Sequence, residues 1–463
     1  MRASLAWARY GWPSGLPAAH EQMFAARRRT RSGGGGLHEM LPLSRGSTRP
    51  PAPDAHPMTQ APADAATPVV SAFYDRFPYP GDPLQDGPPP GYNWRWCVDA
   101  AYAACTGALP PEPQAGEPLR ILDAGCGTGV STDYLAHLNP GAEILAVDIS
   151  PGTLEVARER LRRSGGGAQA RVRIENRSLL ELQGEDPFDY INSVGVLHHL
   201  REPEAGLRAL AALLKPGALL HLFLYADGGR WEIHRTQRAL TALAVGTGEP
   251  GLRLGRQLLA ELPEHNRLRR HHEQRWALDC AADANFADMY LHPQETSYNL
   301  ERLMAFVASA DLQFAGFSNP QVWDPARLLQ GELLERAQAL PPLQRWQLVE
   351  DLDPDISHFE FFLAKAPLVE HRWDDDRALL AAGGTRNRCL WGWPGQALLD
   401  SDMAPLDLSS DGLALMQALE QAPAGTALGA LPLGWSEGQM ARVARELLAQ
   451  RVLLLKPGPS SAA

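Results

Sequence analysis

The stretch "LRILDAGCGTGVSTDYLA", residues 119–136, places three glycines at alternate positions directly after a short apolar segment. The glycines at 125, 127 and 129 let the backbone turn sharply off a strand and approach a ligand where side chains would collide. A dinucleotide-binding fingerprint would require a glycine at position 130, where this chain has valine. Asp123 also places a carboxylate near the turn, where it would repel a pyrophosphate. The turn therefore predicts a cationic ligand that carries no phosphate.

S-adenosylmethionine is such a ligand, because it combines an ammonium, a sulfonium, a ribose diol and an adenine. Asp148 follows the apolar segment "AEILAV" and is expected at the carboxyl end of the second strand. An acid at that place can accept both ribose hydroxyl hydrogens. An alternative is structural: Asp123 would cap the glycine turn, and Asp148 would cap the helix that starts at Pro151.

Short apolar strands alternate with amphipathic helices from residue 119 to residue 226, which predicts βαβ units and a parallel sheet. In this order the segments "ILDAGCGTG", "VDIS", "FDYINSVGVLHHL" and "LLKPGALLHLF" resemble the motifs of class I S-adenosylmethionine-dependent methyltransferases. The resemblance implies an α/β, Rossmann-like sheet of seven strands whose last strand is antiparallel. "LQFAGFSN" and "ISHFEFFLAK" are expected to supply the final pair of strands.

The resemblance also implies which residues hold the cofactor. The expected contacts are Asp123, Gly125, Cys126, Gly127, Gly129, Asp148, Ile149, Ser178, Leu179 and Val194. One position departs from the family pattern, since Ser178 and Leu179 stand where an acid often meets the adenine amino group. A main-chain or apolar contact to adenine is expected there.

The methyl acceptor is expected beyond the carboxyl ends of the strands. His198 follows the fourth strand and Tyr225 ends the fifth, and we assign both to catalysis as a hypothesis. The alternative for His198 and its neighbour His199 is that one packs under the following helix while the other meets solvent. Since positioning alone can drive an in-line displacement, a general base is not obligatory.

Four aromatic or imidazole side chains are candidates for binding the acceptor. Tyr74 and Tyr79 lie in a span rich in proline and aromatic residues, while Tyr290 and His292 precede a predicted helix. An aromatic wall can attract the sulfonium and exclude water. Ring packing in a core is the alternative for each of them.

The chain is expected to divide into six parts. These are a disordered segment (1–67), an aromatic and proline-rich cap (68–118), the methyltransferase core (119–226), a helical insertion or lid (227–310), the remainder of the sheet (311–368) and a small C-terminal winged-helix-like module (369–463). The arginine-rich start suits a transit peptide, but we favour Met58 as the true start of translation.

Composition limits the partners. The chain has 463 residues and a net charge of −11, and residues 400–463 carry seven acids against four bases, which disfavours nucleic acid. The C-terminal module is therefore expected to contact protein. Five scattered cysteines show neither a disulfide framework nor zinc spacing, so we expect no metal and a reducing, cytoplasmic location. The sequence has no run of eighteen or more apolar residues, so we expect no membrane span.

The leading hypothesis is an S-adenosylmethionine-dependent methyltransferase acting on a small molecule or a protein. The alternative is a non-catalytic protein that senses S-adenosylmethionine or serves as a scaffold.

Overall fold

A seven-stranded sheet forms the centre of the protein in the computed structural model, which describes residues 67–111, 116–395 and 397–458. The strand order is β3-β2-β1-β4-β5-β7-β6, and β7 runs antiparallel to both of its neighbours while the other pairs are parallel. The strands are β1 Arg120–Ala124, β2 Glu143–Asp148, β3 Arg171–Asn176, β4 Phe188–Val194, β5 Leu214–Tyr225, β6 Gln313–Phe317 and β7 His358–Ala364. The predicted Rossmann-like α/β sheet and its antiparallel last strand are confirmed.

Helices cover both faces of the sheet, as its apolar strands require. The helices are α1 Thr67–Arg76, α2 Val98–Thr106, α3 Val130–Leu138, α4 Pro151–Ser164, α5 Gly166–Gln169, α6 Pro203–Ala212, α7 Trp231–Ala242, α8 Glu249–Glu261, α9 Arg267–His271, α10 Asp283–Leu291, α11 Leu300–Ala308, α12 Gly331–Gln338, α13 Pro342–Leu352, α14 Asp376–Ala381, α15 Ser410–Gln421 and α16 Glu437–Ala449. Leu122 and Leu220 belong to the core on one face, and Ile121 and Leu219 to the core on the other. This alternation buries every central strand on two sides.

The helical insertion follows β5 and forms its own core. Phe73 and Phe77 of the cap pack there with Ile233, Leu240 and Phe286 of helices α7 and α10. Helix α11 falls within the predicted insertion (227–310), but its apolar face packs in the core of the sheet instead. The separate helical layer therefore ends before Leu300.

The C-terminal part has a core of its own as well. The helices predicted there are α15 and α16, and they pack with β8 Gly383–Arg386 and β11 Leu453–Lys456, which pair antiparallel. A second antiparallel pair joins β9 Ala397–Leu399 to β10 Pro405–Asp407. The winged-helix-like classification stays a prediction. The disordered segment and the start at Met58 lie outside the described residues, apart from Thr67, which begins α1.

A buried polar network crosses the middle of the sheet. The Glu360 carboxylate on β7 lies 2.7 Å from Arg95 Nε and 3.3 Å from His221 Nε2. His221 Nδ1 lies 2.9 Å from the Asn192 side-chain oxygen, which also accepts a hydrogen bond from Trp96. Burial by itself raises the pKa of Glu360, but Arg95 and His221 outweigh it and lower the pKa to about 2. The cap is thus tied to the sheet through a charged carboxylate.

Removing that carboxylate leaves the buried Arg95 without its nearest carboxylate, since Asp402 lies 3.9 Å away. Glu360→Ala is expected to lower the free energy of unfolding by about 3–5 kcal/mol. Chemical denaturation monitored by circular dichroism measures this change in the free energy of unfolding. Glu332→Ala is the control, since its ion pair with Arg336 is exposed and is expected to contribute less than about 1 kcal/mol. An equal loss of unfolding free energy in the two variants would show that the buried network stabilises the fold no more than an exposed ion pair does.

Candidate active site

The glycine turn connects β1 to α3 and has the backbone that the sequence predicts. Gly125, Gly127 and Gly129 have φ values of 82°, 53° and 78°, a region that favours glycine. A Cβ atom on Gly127 would lie 2.5 Å from the Tyr79 carbonyl oxygen, and one on Gly125 would lie 2.3 Å from a Val196 methyl carbon. The missing side chains therefore make room for other parts of the protein, in addition to any ligand.

Asp148 ends β2 next to this turn. Its Oδ2 atom accepts a hydrogen bond from the Gly127 amide at 2.9 Å, and its Oδ1 atom accepts one from the Ser150 amide at 2.9 Å. Ser150 caps helix α4, because its hydroxyl oxygen accepts from the Thr153 amide. The alternative in which Asp148 caps this helix is therefore wrong. Burial raises the pKa of Asp148, which the Ser150 and Gly127 amides oppose, and its ribose contact stays a prediction.

Asp123 lies deeper, at 1% exposure. Its carboxylate accepts hydrogen bonds from Thr132 at 2.6 Å, Ser131 at 2.7 Å and Asn192 at 2.8 Å. These contacts hold the glycine turn on helix α3, as the capping alternative for Asp123 predicts. Its contact with the ammonium of the cofactor stays a prediction.

The Cys126 side chain faces away from the cleft. It packs against Ala146 and Leu154 at 3% exposure, and its amide donates a hydrogen bond to the Val147 carbonyl. The turn points the Cys126 side chain into the core, so the thiol has a packing role, and the predicted contact of residue 126 with the cofactor stays a prediction.

Four further predicted cofactor contacts lie near the carboxyl ends of the strands. Val194 is the last residue of β4, and Ile149 follows β2 with its carbonyl accepting a hydrogen bond from Ser71 at 2.9 Å. Ser178 caps the short turn Leu179–Glu181, and Leu179 packs in the core of the sheet at 6% exposure. The Leu179 side chain is thus buried, so the predicted adenine contact would have to come from the main chain or Ser178.

The N-terminal cap lies over the donor cleft. The Asp75 carboxylate accepts hydrogen bonds from the Ser150 hydroxyl at 2.7 Å and from the Gly152 amide at 3.0 Å. Further along, the Tyr79 carbonyl accepts from the Thr128 amide at 3.0 Å. Helix α1 and Tyr79 therefore approach the cleft at Asp148 and at the glycine turn.

A cluster of side chains, here called the chamber, lies beside the cleft and consists of Tyr74, His199, Tyr225, Asp288 and His292. His199, Tyr225 and Asp288 are buried, whereas Tyr74 and His292 are half-buried. The Tyr74 hydroxyl donates to Asp288 Oδ1 at 2.9 Å, and the Tyr225 hydroxyl donates to Oδ2 at 3.2 Å. The rings of His199 and His292 have centroids 3.8 Å apart. Burial raises the pKa of Asp288, and His199 opposes this effect.

The chamber has the location expected for a methyl acceptor. His199 follows β4 and Tyr225 ends β5, so both lie beyond the carboxyl edge of the sheet. Tyr74 connects the donor cleft to the chamber. Its carbonyl accepts a hydrogen bond from the Thr153 hydroxyl on α4, and its own hydroxyl donates to Asp288. The Tyr79 ring lies 6.3 Å from the Tyr74 ring, between centroids.

His198 has a supporting place in this arrangement. Its ring stacks on Tyr225 with centroids 3.9 Å apart, and its Nε2 lies 3.1 Å from His199 Nε2. Burial, together with the neighbouring His199, lowers the pKa of His198 well below its usual value. Both histidines are buried, so the alternative that one of them meets solvent is wrong. The contacts favour a positioning role for His198, and catalysis by it stays a prediction.

Of the two candidates around residue 290, the structure brings only His292 into the chamber. Tyr290 packs against Phe286 in the core of the insertion, and its hydroxyl lies 2.9 Å from His272 Nδ1. Asp288 and Tyr290 are two positions apart on a helix and hence face roughly opposite ways, whereas Asp288 and His292 are spaced i, i+4 and share a side. Asp288 was not predicted, although this spacing within "ADMYLH" is the signal that points to it.

A buried ion pair between Arg230 and Glu295 packs against the Tyr225 ring of the chamber. The Arg230 guanidinium lies 3.5 Å from the centre of the Tyr225 ring and 2.8 Å from the Glu295 carboxylate. Burial by itself raises the pKa of Glu295, but Arg230 and His234 outweigh it and lower the pKa to about 2. The amide of the preceding residue, Gly229, donates to the Ile356 carbonyl.

The arginines of the insertion are paired with acids. Arg267 lies 2.6 Å from Glu232, Arg269 lies 2.7 Å from Glu273, and Arg275 lies 3.2 Å from Asp355. Each of these three guanidinium groups is therefore paired with a carboxylate of the protein itself.

Comparisons with known proteins find a matching domain family and similar proteins. Residues 122–220 match the family model described as a methyltransferase domain. An uncharacterized protein of Synechococcus sp. (strain ATCC 27144) is 48% identical over 402 residues, which cover 85% of this chain and 94% of that protein. An uncharacterized phycocyanin operon protein W of Pseudanabaena tenuis is 55% identical over 96 residues, covering 21% of this chain and 87% of that protein.

A solved structure shares the fold. PKMT2 from Rickettsia typhi in complex with AdoHcy matches with a TM-score of 0.53 and 17% identity, covering 80% of this chain and 77% of that one. Across the described ranges, no helix combines the length and apolar character that a membrane crossing needs. The sheet order and the matched methyltransferase domain agree: the chain belongs to the class I S-adenosylmethionine-dependent methyltransferases, and it is an enzyme that uses S-adenosylmethionine as its cofactor.

Proposed function

We propose that the enzyme methylates an O–H or N–H nucleophile that enters the chamber beside the donor cleft. The observation that carries this proposal is the Asp288 carboxylate, which two tyrosine hydroxyls hold at 2.9 and 3.2 Å at the carboxyl edge of the sheet. A fixed carboxylate can accept the hydrogen of an incoming nucleophile and orient its lone pair toward the sulfonium.

The reaction is an in-line displacement. A bond forms between the nucleophile and the methyl carbon, while the bond from carbon to sulfur breaks and leaves its electron pair on sulfur. The proton of the nucleophile passes to Asp288. Tyr74 and Tyr225 hold the carboxylate in place. Asp288, His199 and Tyr225 are buried, and the exclusion of water around them strengthens each of these interactions.

The acceptor that we propose to test first is a protein, the subunits of phycocyanin. The relative named for the phycocyanin operon supports this choice. A small-molecule acceptor is the other class that the sequence predicts. We also place the reaction in the cytoplasm, which the five free cysteines among the described residues favour. Contact between the C-terminal module and another protein stays part of this proposal.

Methyl transfer with S-adenosylmethionine labelled on the methyl group tests the acceptor. Phycocyanin from a strain lacking this gene is expected to take up label at one site, which mass spectrometry of peptides locates. Label in the small-molecule fraction of a cell extract, with none in phycocyanin, would contradict the protein acceptor and favour the other class.

Asp288→Asn is expected to lower the turnover by about 100-fold or more, because the amide has lost the charged acceptor that orients the nucleophile. Thermal stabilisation by S-adenosylhomocysteine is expected to persist, since the cleft is untouched. Asp283→Asn is the matched control on the same helix, where the side chain is 65% exposed and pairs with Arg256. A variant at 288 as active as the control would exclude Asp288 from the reaction.

A further inference from the structure

Three side chains of the chamber bring metal-binding atoms together. His199, Asp288 and His292 each offer one ligand atom, and these atoms all lie within 4.8 Å of one another. Tetrahedral ligands about 2.0–2.2 Å from one ion stand about 3.3–3.6 Å apart, so these side chains need to move inward by about 1 Å at most to bind one ion together. This cluster was not predictable from the sequence, because position 199 is far from positions 288 and 292 along the chain.

The surroundings of two of these ligands resemble the outer shell of a metal site. His199 Nδ1 lies 2.8 Å from the Gln294 carbonyl oxygen, to which it can only donate, so the neutral ring presents an unprotonated Nε2. The Asp288 carboxylate is held by the hydroxyls of Tyr74 and Tyr225. Both ligands are therefore oriented before any ion arrives.

The third ligand has a polar atom without a partner. His292 Nε2 is buried and makes no hydrogen bond within the described part of the chain. A buried polar atom without a partner is costly, so a ligand at this place would remove a penalty. The Gln294 amide donates to His292 Nδ1 at 3.1 Å, and ligation through Nε2 exchanges this contact for the ion while the ring proton moves to Nδ1.

We propose that His199, Asp288 and His292 bind one divalent transition-metal ion of the zinc or iron(II) class. Two imidazoles and one carboxylate favour such ions over magnesium or calcium, which prefer oxygen ligands throughout. Binding replaces the contact between His198 Nε2 and His199 Nε2, which are 3.1 Å apart. The ion and the proton of the nucleophile would compete for the Asp288 carboxylate, so the inference concerns the enzyme before an acceptor enters. It goes beyond the proposed reaction and requires no particular acceptor.

Spectroscopic titration tests the site directly. The full-length protein, purified without a polyhistidine tag and treated with a chelator, is titrated with Co²⁺ in oxygen-free buffer, and zinc then competes for the site. One equivalent of Co²⁺ is expected to produce visible absorption bands that zinc abolishes. Asp288→Asn and His199→Ala are each expected to weaken Co²⁺ binding by about 100-fold or more, since even outer-shell changes cost about 10–100-fold.

Two controls separate this site from surface binding. Asp283→Asn lies on the same helix, and His265→Ala removes an exposed imidazole from the insertion, so both are expected to bind Co²⁺ like the wild-type protein. Stabilisation by S-adenosylhomocysteine reports that each variant is folded. If a chamber variant is not folded, Co²⁺ binding is measured on His292→Gln in its place. Absence of Co²⁺ binding to the wild-type protein, or unchanged binding in the folded chamber variants, would overturn the proposal. Either result leaves the labelling experiment on the acceptor unaffected.

Discussion

Asp148→Ala is expected to abolish measurable binding of S-adenosylmethionine in a calorimetric titration. The predicted ribose contact consists of two hydrogen bonds to a charged group, each contributing about 1.5–3 kcal/mol, and a loss of about 3 kcal/mol corresponds to about 100-fold in affinity. The variant also removes the acceptor for the Gly127 amide, which lies 2.9 Å from the carboxylate. The glycine turn is therefore expected to lose part of its order as well.

Glu143→Ala is the matched control for this experiment, because Glu143 is the first residue of the strand that Asp148 ends. It pairs with Arg120 and Arg171 at the opposite edge of the sheet, and its loss is expected to leave the affinity unchanged. Asp148→Asn, which keeps the size of the side chain, separates loss of charge from loss of packing. Wild-type affinity in both Asp148 variants would show that the ribose lies elsewhere.

Gly127→Ala is expected to produce the second large effect. A Cβ atom there would stand 2.5 Å from the Tyr79 carbonyl oxygen, so the cap must move away from the turn. Left-handed strain of about 1–2 kcal/mol adds to an overlap that costs about 1–3 kcal/mol. The melting temperature is expected to fall, and affinity for S-adenosylmethionine is expected to fall by at least about tenfold, because the cap covers the cleft.

Gly141→Ala is the control that measures left-handed backbone strain without steric overlap of the added Cβ atom. Gly141 also has a positive φ, 82°, but a Cβ atom there would meet no atom within 4 Å. This control is expected to lose about 1–2 kcal/mol of stability and to keep its affinity for the cofactor. If the two variants lost equal stability and both bound normally, the contact between Tyr79 and the turn would be unimportant.

The fold was predictable because its signals are local. The glycine turn, the acid after β2 and the alternation of apolar strands with helices each lie within short segments, and a parallel sheet follows from them. The antiparallel terminal pair of strands followed from the family resemblance. The packing of α11 on the sheet was not predictable, since an amphipathic helix shows which of its faces is buried but not what covers it.

The chamber was only partly predictable, because its residues come from segments that meet only in the folded chain. Tyr74 and His292 were expected near the acceptor, yet the group that joins them is Asp288, a single acid within a helical segment. Tyr290 was wrongly paired with His292, although positions two apart on a helix face roughly opposite ways. Asp123 and Cys126 were expected at the cofactor because of the motif, whereas their contacts mainly support the turn.

The contact between the cap and the C-terminal module also required the structure. Trp94 donates a hydrogen bond to Asp402 at 2.9 Å, and the Leu109 amide donates to the Leu455 carbonyl at 2.7 Å. Both pairs are separated by more than 300 residues, and no periodic pattern connects them.

A crystal structure with S-adenosylhomocysteine bound tests the central claim most directly, which is that the cleft at Asp148 delivers the methyl group into the chamber around Asp288. The expected result is that both ribose hydroxyls contact Asp148 and that the sulfur opens toward Tyr74, His199 and Asp288. A nucleoside that does not contact Asp148, or a sulfur that faces away from the chamber, would contradict the account.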